Sequence, residues 1–271
     1  MRETWHPEFP GEDEMTERIN GYDTKGREKL LREFGRSVAA MKEFLVARYG
    51  ADLADQLQRD AHHEYESIIP KIPRIDGGRR SGTFNRFLQI TAQELAVYNT
   101  MKKVGKGPDE AWELCHDALR LRLAEIPAWK RRLFAWFLFS PVVKKVFARR
   151  VRKNEIERMG EFEIAYVDVG GDGFDYGVNY LQCENINFLK KNGAEAFAPY
   201  VCMSDIALSD AFGWGLTRTQ TLADGCGHCD FRFRQGAPTR VSSKTPGVQK
   251  TIERIYAKEA GRIRRKTRET Y

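Results

Sequence analysis

Residues 161–183 read EFEIAYVDVGGDGFDYGVNYLQC. Phe162, Ile164, Tyr166 and Asp168 alternate with Glu163, Ala165, Val167 and Val169. The same period of two returns in Phe174, Tyr176, Val178 and Tyr180. Strand side chains point to opposite faces in turn, so each run has one face to bury. Gly170-Gly-Asp-Gly173 between them offers the backbone freedom of a tight turn, and the pair predicts a β-hairpin. These glycines join two strands, whereas a dinucleotide-phosphate loop leads from a strand into a helix.

Downstream, residues 216–234 read LTRTQTLADGCGHCDFRFR. A Thr-rich strand over 216–222, a Gly-rich loop over 223–228 and a strict alternation over 229–234 predict a second hairpin. A short helix over 186–193, ending at Gly193, fits between the hairpins. Upstream the period changes. Leu31, Phe34, Val38, Met41 and Leu45 step by three and four, the stripe of an amphipathic helix ending near Gly50. Further helices are predicted over 51–68, stopped by Pro70 and Pro73, over 84–104, and over 109–125 with Pro108 at its start. The fold class is therefore α+β: N-terminal helices packed on a small antiparallel sheet of about four strands, two hairpins with intervening helices. Three regions follow: a mainly helical one over 1–155, the sheet region over 156–237, and a basic C-terminal helix or tail over 238–271.

The 271 residues are 41% hydrophobic and carry 45 Lys or Arg against 38 Asp or Glu, net +7. This excludes a disordered chain and allows a sizeable core. No basic-then-apolar leader opens the sequence, and its longest apolar run, Leu133 to Phe139, is far too short to span a bilayer. The five cysteines are then expected to be free thiols of a cytoplasmic protein. Residues 128–153 hold nine basic groups and no acid, residues 232–271 twelve basic against three acidic, and the middle of the chain is acidic. No nucleic-acid-reading motif accompanies the basic segments, so they read as solvated faces and no nucleic-acid partner is expected. Segment 128–153 is also aromatic, with Trp129, Phe134, Trp136, Phe137, Phe139 and Phe147. A membrane-surface helix would look like this, but aromatics spread around the helix suit a core helix with snorkelling ends better.

Cys183, Cys202, Cys226 and Cys229 gather at strand ends and loops of the second half, whereas Cys115 lies on a helix and reads as a core residue. A thiolate nucleophile with His228 or a carboxylate moving protons is one reading. A zinc ion on Cys183, Cys202, Asp205 and Cys229 is the other; Cys226 and Cys229 have knuckle spacing but lack a second pair. The adjacent His62 and His63 point about 100° apart on a helix, which suits surface or interhelix roles.

The order of motifs carries a resemblance. Ile72-Pro with Gly77-Gly and Asn85, then Tyr200-x-Cys202-x-x-Asp205, then Arg218-Thr-x-Thr-Leu-Ala-x-Gly225, then Cys229-Asp-Phe-Arg-Phe233 together resemble the L-2-amino-thiazoline-4-carboxylic acid hydrolase family. The likeness runs from the first helices to Gly236. It implies a hydrolase that opens a small cyclic amidine or amide, in the named case a cyclic isothiourea giving an N-carbamoyl cysteine. Its catalytic residues would be Cys202, Asp205, His228 and Cys229. Arg218 would grip the substrate carboxylate, since a guanidinium binds one bidentately. Thr219 would add a hydroxyl and Asn85 would bind polar ring atoms. No cofactor is implied, and a small-molecule substrate is the expected partner. The second half more faintly resembles the 4-vinyl-reductase-type small-molecule-binding domain, some sensors of which hold zinc; that leaves a ligand-binding module with a structural zinc as the alternative. If the thiols act, Cys202 and Cys229 should converge on Asp205 and Arg218 between the sheet and the helices.

Overall fold

The computed structural model describes residues 22–76, 81–167 and 173–269, with side chains up to residue 258. The sequence features that fall outside the described residues are the start of the chain, Gly77-Gly78, Asp168 and Val169 of the first alternation, and most of the Gly170–Gly173 turn.

Helix α1 (Thr24–Tyr49) opens on Asp23, whose Oδ1 accepts the Gly26 amide at 2.8 Å, and closes at Gly50 with φ of 83°. Its buried stripe is Leu30, Phe34, Val38, Met41 and Leu45. Leu30, one residue before the Leu31 expected, starts it. Helix α2 (Ala51–Ile68) buries Ala54, Leu57, Ala61, Tyr65 and Ile68. Helix α3 (Ser81–Lys103) is the central one, packed by α2 and by α4 (Pro108–Ala124). It buries residues around most of its circumference, Leu88, Thr91, Ala92, Glu94, Leu95 and Ala96 among them. Helix α4 seals this layer with Trp112, fully buried.

The expected helix over 128–153 is two helices, α5 (Ala128–Leu138) and α6 (Pro141–Arg152). Pro141 cannot continue α5, and Ser140 caps the new helix by accepting the Val143 amide. Nor is it a core element. Trp129 is 62% exposed, Trp136 66% and Val142 72%, and only Ala135 and Phe139 are buried. The expectation of burial is corrected on this point.

The sheet has six strands rather than four, in the order β1-β2-β3-β5-β4-β6. They are β1 (Ile156–Met159), β2 (Phe162–Val167), β3 (Tyr176–Gln182), β4 (Leu216–Arg218), β5 (Cys229–Phe233) and β6 (Arg240–Val241). All pairings are antiparallel except β4 with β6. Both expected hairpins are present; the two further strands are the edges. β1 joins β2 through a two-residue turn that begins at Gly160, φ 56°. Between β3 and β4 lie α7 (Glu184–Lys191), α8 (Ala198–Val201) and α9 (Asp205–Phe212). The basic C-terminal segment is a helix, α10 (Pro246–Glu269), anchored by buried Val248, Ile252 and Ile255. One hydrophobic core runs from α1–α4 through Phe162, Ile164, Phe197 and Leu216 to α10.

Gly215 fixes the entry to β4. Its φ is 58°, and a Cβ there would stand 1.9 Å from the Arg234 carbonyl oxygen. Gly215→Ala is expected to destabilise the protein by about 2–3 kcal/mol, since rigid backbone must shift and a left-handed φ is strained. A denaturant midpoint unchanged from wild type would refute this.

Candidate active site

Arg218 is the last residue of β4 and is 2% exposed. Burying a guanidinium is costly unless it is paired and hydrogen-bonded. Its Nη1 donates to Asp205 Oδ2 at 2.6 Å and to the Cys202 carbonyl at 2.7 Å. The guanidinium carbon lies 5.4 Å from the centre of the Phe231 ring, a cation–π contact. Nε is buried and has no hydrogen-bond partner among the described residues. Such a donor costs stability, so a protein that keeps one invites a functional reason.

Asp205 opens α9, where the helix N-terminus favours its charge. Burial raises its pKa above the ordinary carboxylate value, and Arg218 works in the opposite direction. Its side chain nevertheless keeps 31% of its surface accessible. A carboxylate so enclosed yet partly open to water marks a candidate recess.

Three thiols lie within electrostatic range of this ion pair. The electrostatic neighbours of Cys202 are Arg218, Cys229, Cys183 and Asp205. Cys229 is 4% exposed and its Sγ accepts the Leu222 amide at 3.2 Å. As the alternation of β5 requires, it shares a face with Phe231 and Phe233, whose rings pack on each other and on Tyr180 and Tyr176. Burial pushes these three thiols up: Cys183 to about 11, Cys229 to about 12, and Cys202 well above its ordinary value. At neutral pH these are S–H groups, poor as nucleophiles but able to donate a proton.

The chain between Cys202 and Asp205 ties this recess to the helices. Ser204 Oγ donates to Glu94 Oε1 at 2.8 Å and lies 3.2 Å from Trp112 Nε1, which donates to it. Glu94, on α3, is 5% exposed, and its Oε2 has no partner among the described residues. Burial pushes its pKa up to about 8, Ser204 pulls it down, and the Asp205 charge raises it further. Glu94 also lines an open cavity of about 650 Å³ with Gln93, Cys115, Arg86, Arg122 and Leu208. Neither Glu94 nor Ser204 was singled out in the sequence. The signal was there, a carboxylate in the apolar run of the helix over 84–104.

Other expected site residues lie elsewhere. Asn85 uses both ends of its amide on Ile75, accepting from its N–H at 2.9 Å and donating to its carbonyl at 2.8 Å. It clamps the loop after α2 to α3. Thr219 is exposed; its hydroxyl donates to Asp230 Oδ2 at 2.6 Å, and Asp230 Oδ1 accepts the amides of Thr219 and Gln220. Arg232, on β5, donates to Asn179 Oδ1 at 3.0 Å. The His228 ring Nε2 lies 3.0 Å from Gln220 Nε2, on the turn leading into β5. Cys115 is buried on α4, as a core thiol should be. Of Cys183, Cys202, Asp205 and Cys229, the alternative zinc set, Asp205 and the Cys202 carbonyl are engaged by the Arg218 guanidinium. Among the described residues, no three His, Cys, Asp or Glu side chains are grouped to hold a metal ion.

The fold and the recess define an α+β protein with a buried arginine–carboxylate pair among thiols. The family model described as L-2-amino-thiazoline-4-carboxylic acid hydrolase matches residues 84–233, from α3 through β5. That is more than half of the chain, and the chain belongs to this family. No curated protein and no solved structure matches it.

Proposed function

We propose that the protein is a hydrolase of small cyclic amidines or amides, acting on L-2-amino-thiazoline-4-carboxylate or a near relative, with the Arg218 recess as its active site. One observation carries the reading: a buried arginine whose Nη1 is held by Asp205 and Cys202 while its Nε edge is unused. The unused edge would take the substrate carboxylate. The ring would then lie beside Asp205 and the thiols.

Ring opening needs attack on the carbon between sulfur and nitrogen, then departure of the sulfur. Burial makes Asp205 a stronger base than a solvated carboxylate, so it takes a proton from water as the water oxygen bonds to that carbon and the carbon–nitrogen π pair moves to the ring nitrogen. The proton of the added hydroxyl passes to that nitrogen, and as the oxygen becomes a carbonyl the carbon–sulfur bond breaks and its electron pair goes to sulfur. The Cys202 S–H protonates the sulfur, and Asp205 returns its proton to Cys202. Water is consumed, the enzyme is regenerated, and the product carries a free thiol and a carbamoyl nitrogen. With thiol pKa values this high, water is a better nucleophile here than a thiolate. Cys229 forms the wall. His228, Thr219 and Asn85 take no step.

Purified protein should release product from the thiazoline in a discontinuous assay. Asp205→Asn and Cys202→Ser should each lower kcat/KM by about a hundredfold or more. Cys115→Ser should stay within about threefold of wild type, because this thiol packs as a small apolar group. No turnover across a broad panel of such rings, together with tight binding of one of them, would replace the enzyme with a small-molecule-binding module. The reaction as written needs no cofactor. Near-stoichiometric zinc in protein purified without a metal-binding tag, lost with Cys202→Ser or Cys229→Ser, would overturn the proton role given to Cys202. The thiols are read as belonging to a reducing, cytoplasmic setting.

A further inference from the structure

We propose that the outward faces of α5 and α6 form a docking surface for an anionic lipid bilayer. On α5, Trp129, Leu133, Trp136 and Phe137 recur at i, i+4, i+7 and i+8, one stripe of the helix. In a soluble globule that stripe would face the core, yet it faces outward. Its four residues are 62%, 54%, 66% and 59% exposed. On α6, Val142 and Val146, one turn apart, are 72% and 42% exposed. The inward faces are already satisfied: Phe139 packs on Tyr176, Phe147 on Tyr166 and Tyr176, and Phe134 reaches Phe212. The exposed stripe is therefore a second apolar face, not a core contact that failed to form.

Charge identifies the occupant. The segment has nine Lys or Arg and no acid. Lys144 and Arg150 pair with Asp175, Glu155 and Glu157. Lys130, Arg132, Lys145, Arg149, Arg152 and Lys153 form no ion pair among the described residues, and all six are exposed. Exposed tryptophans flanked by cations are what an interfacial helix presents, the rings at headgroup depth and the cations on lipid phosphates and carboxylates. A second copy of the chain would set one unrelieved cationic face against another. Leu133, Val142 and Val146 would gain nothing from a nucleic acid, whose affinity rests on phosphate contacts and stacking. A bilayer surface uses aliphatic, aromatic and cationic groups together. The docking is peripheral, since no helix among the described residues is long and apolar enough to cross a membrane.

The test is flotation of the full chain with phosphatidylcholine vesicles, with and without about a third phosphatidylserine, at low and high salt. Binding is expected on the anionic vesicles, weakening with salt and absent on phosphatidylcholine alone. The double variant Trp129→Ser, Trp136→Ser should lower the partition coefficient by about tenfold or more. Lys145→Glu with Arg149→Glu should lower it too and flatten its salt dependence. These side chains are exposed, so thermal melts should match wild type. Quenching of wild-type tryptophan emission by brominated lipid gives a readout that needs no variant. Failure of the wild type to float, or equal binding by both double variants, overturns the proposal. So does a dimer or an oligonucleotide complex that depends on Trp129 and Trp136 without any vesicle binding.

Discussion

Arg218→Met is expected to lower stability by about 3 kcal/mol and to abolish turnover. Removing one partner of a buried pair leaves the other charge uncompensated, which costs ~3–5 kcal/mol. The low end applies because Asp205 keeps 31% of its side chain accessible, so water recovers part of the loss. The Cys202 carbonyl loses its 2.7 Å donor at the same time. Adding Asp205→Asn should restore part of that stability, since the stranded charge goes with it; a double-mutant cycle by denaturant unfolding reads the coupling directly. Arg218→Lys separates folding from binding. It keeps the charge beside Asp205 but loses the planar fork, so the protein should fold while KM for a carboxylate-bearing ring rises about tenfold or more. An analogue lacking the carboxylate should show no such rise. Equal effects on both substrates would remove Arg218 from substrate binding and leave it a structural ion pair.

Much of this architecture is legible before any coordinates. Helix α2 begins and ends where the sequence reading put it, because Gly50 and Pro70 punctuate it unambiguously. The hairpin β2–β3 follows from alternation alone. Strands β1 and β6 were missed because four polar-rich residues and two residues carry almost no periodic signal. They are edges, defined by the partner that each finds in space. Segment 128–153 failed differently. Its aromatic and basic composition is plain in the sequence, but composition does not say which side of a helix meets the protein, and a helix with an apolar stripe is buried by default. The site divides along the same line. Motifs on one strand or turn mark Cys202, Asp205, Arg218 and Cys229; Asp205 and the Cys202 carbonyl bond Arg218, and Cys229 lies within electrostatic range of Cys202. Thr219, next to Arg218 in the chain, turns to the other face, where its hydroxyl is engaged by Asp230. Glu94 lies 110 residues from Ser204. No local pattern joins them, and only the packing of α3 against the loop before α9 brings the pair together.

That distant carboxyl sets the second large expected effect. Glu94 titrates at 4.5 in an ordinary setting and at about 8 in the folded protein, because burial penalises its charged form. The folded state therefore keeps a proton that the unfolded chain releases once pH passes 4.5. Stability falls as pH rises wherever the native state binds more protons, so the penalty grows from about pH 4.5 to about 8 and is constant above. At pH 7 it amounts to about 3 kcal/mol. Glutamine has the same shape and keeps an oxygen for Ser204, but has no proton to lose. Denaturant unfolding of the wild type should thus lose about 3 kcal/mol more between pH 5 and pH 8 than Glu94→Gln does. Asp205 is present in both proteins, so its own raised pKa contributes alike to the two curves and cancels in their difference. Parallel curves would mean that Glu94 is already ionised near pH 7 in the folded state, and that its Oε2 has found water or a cation in the cavity it lines.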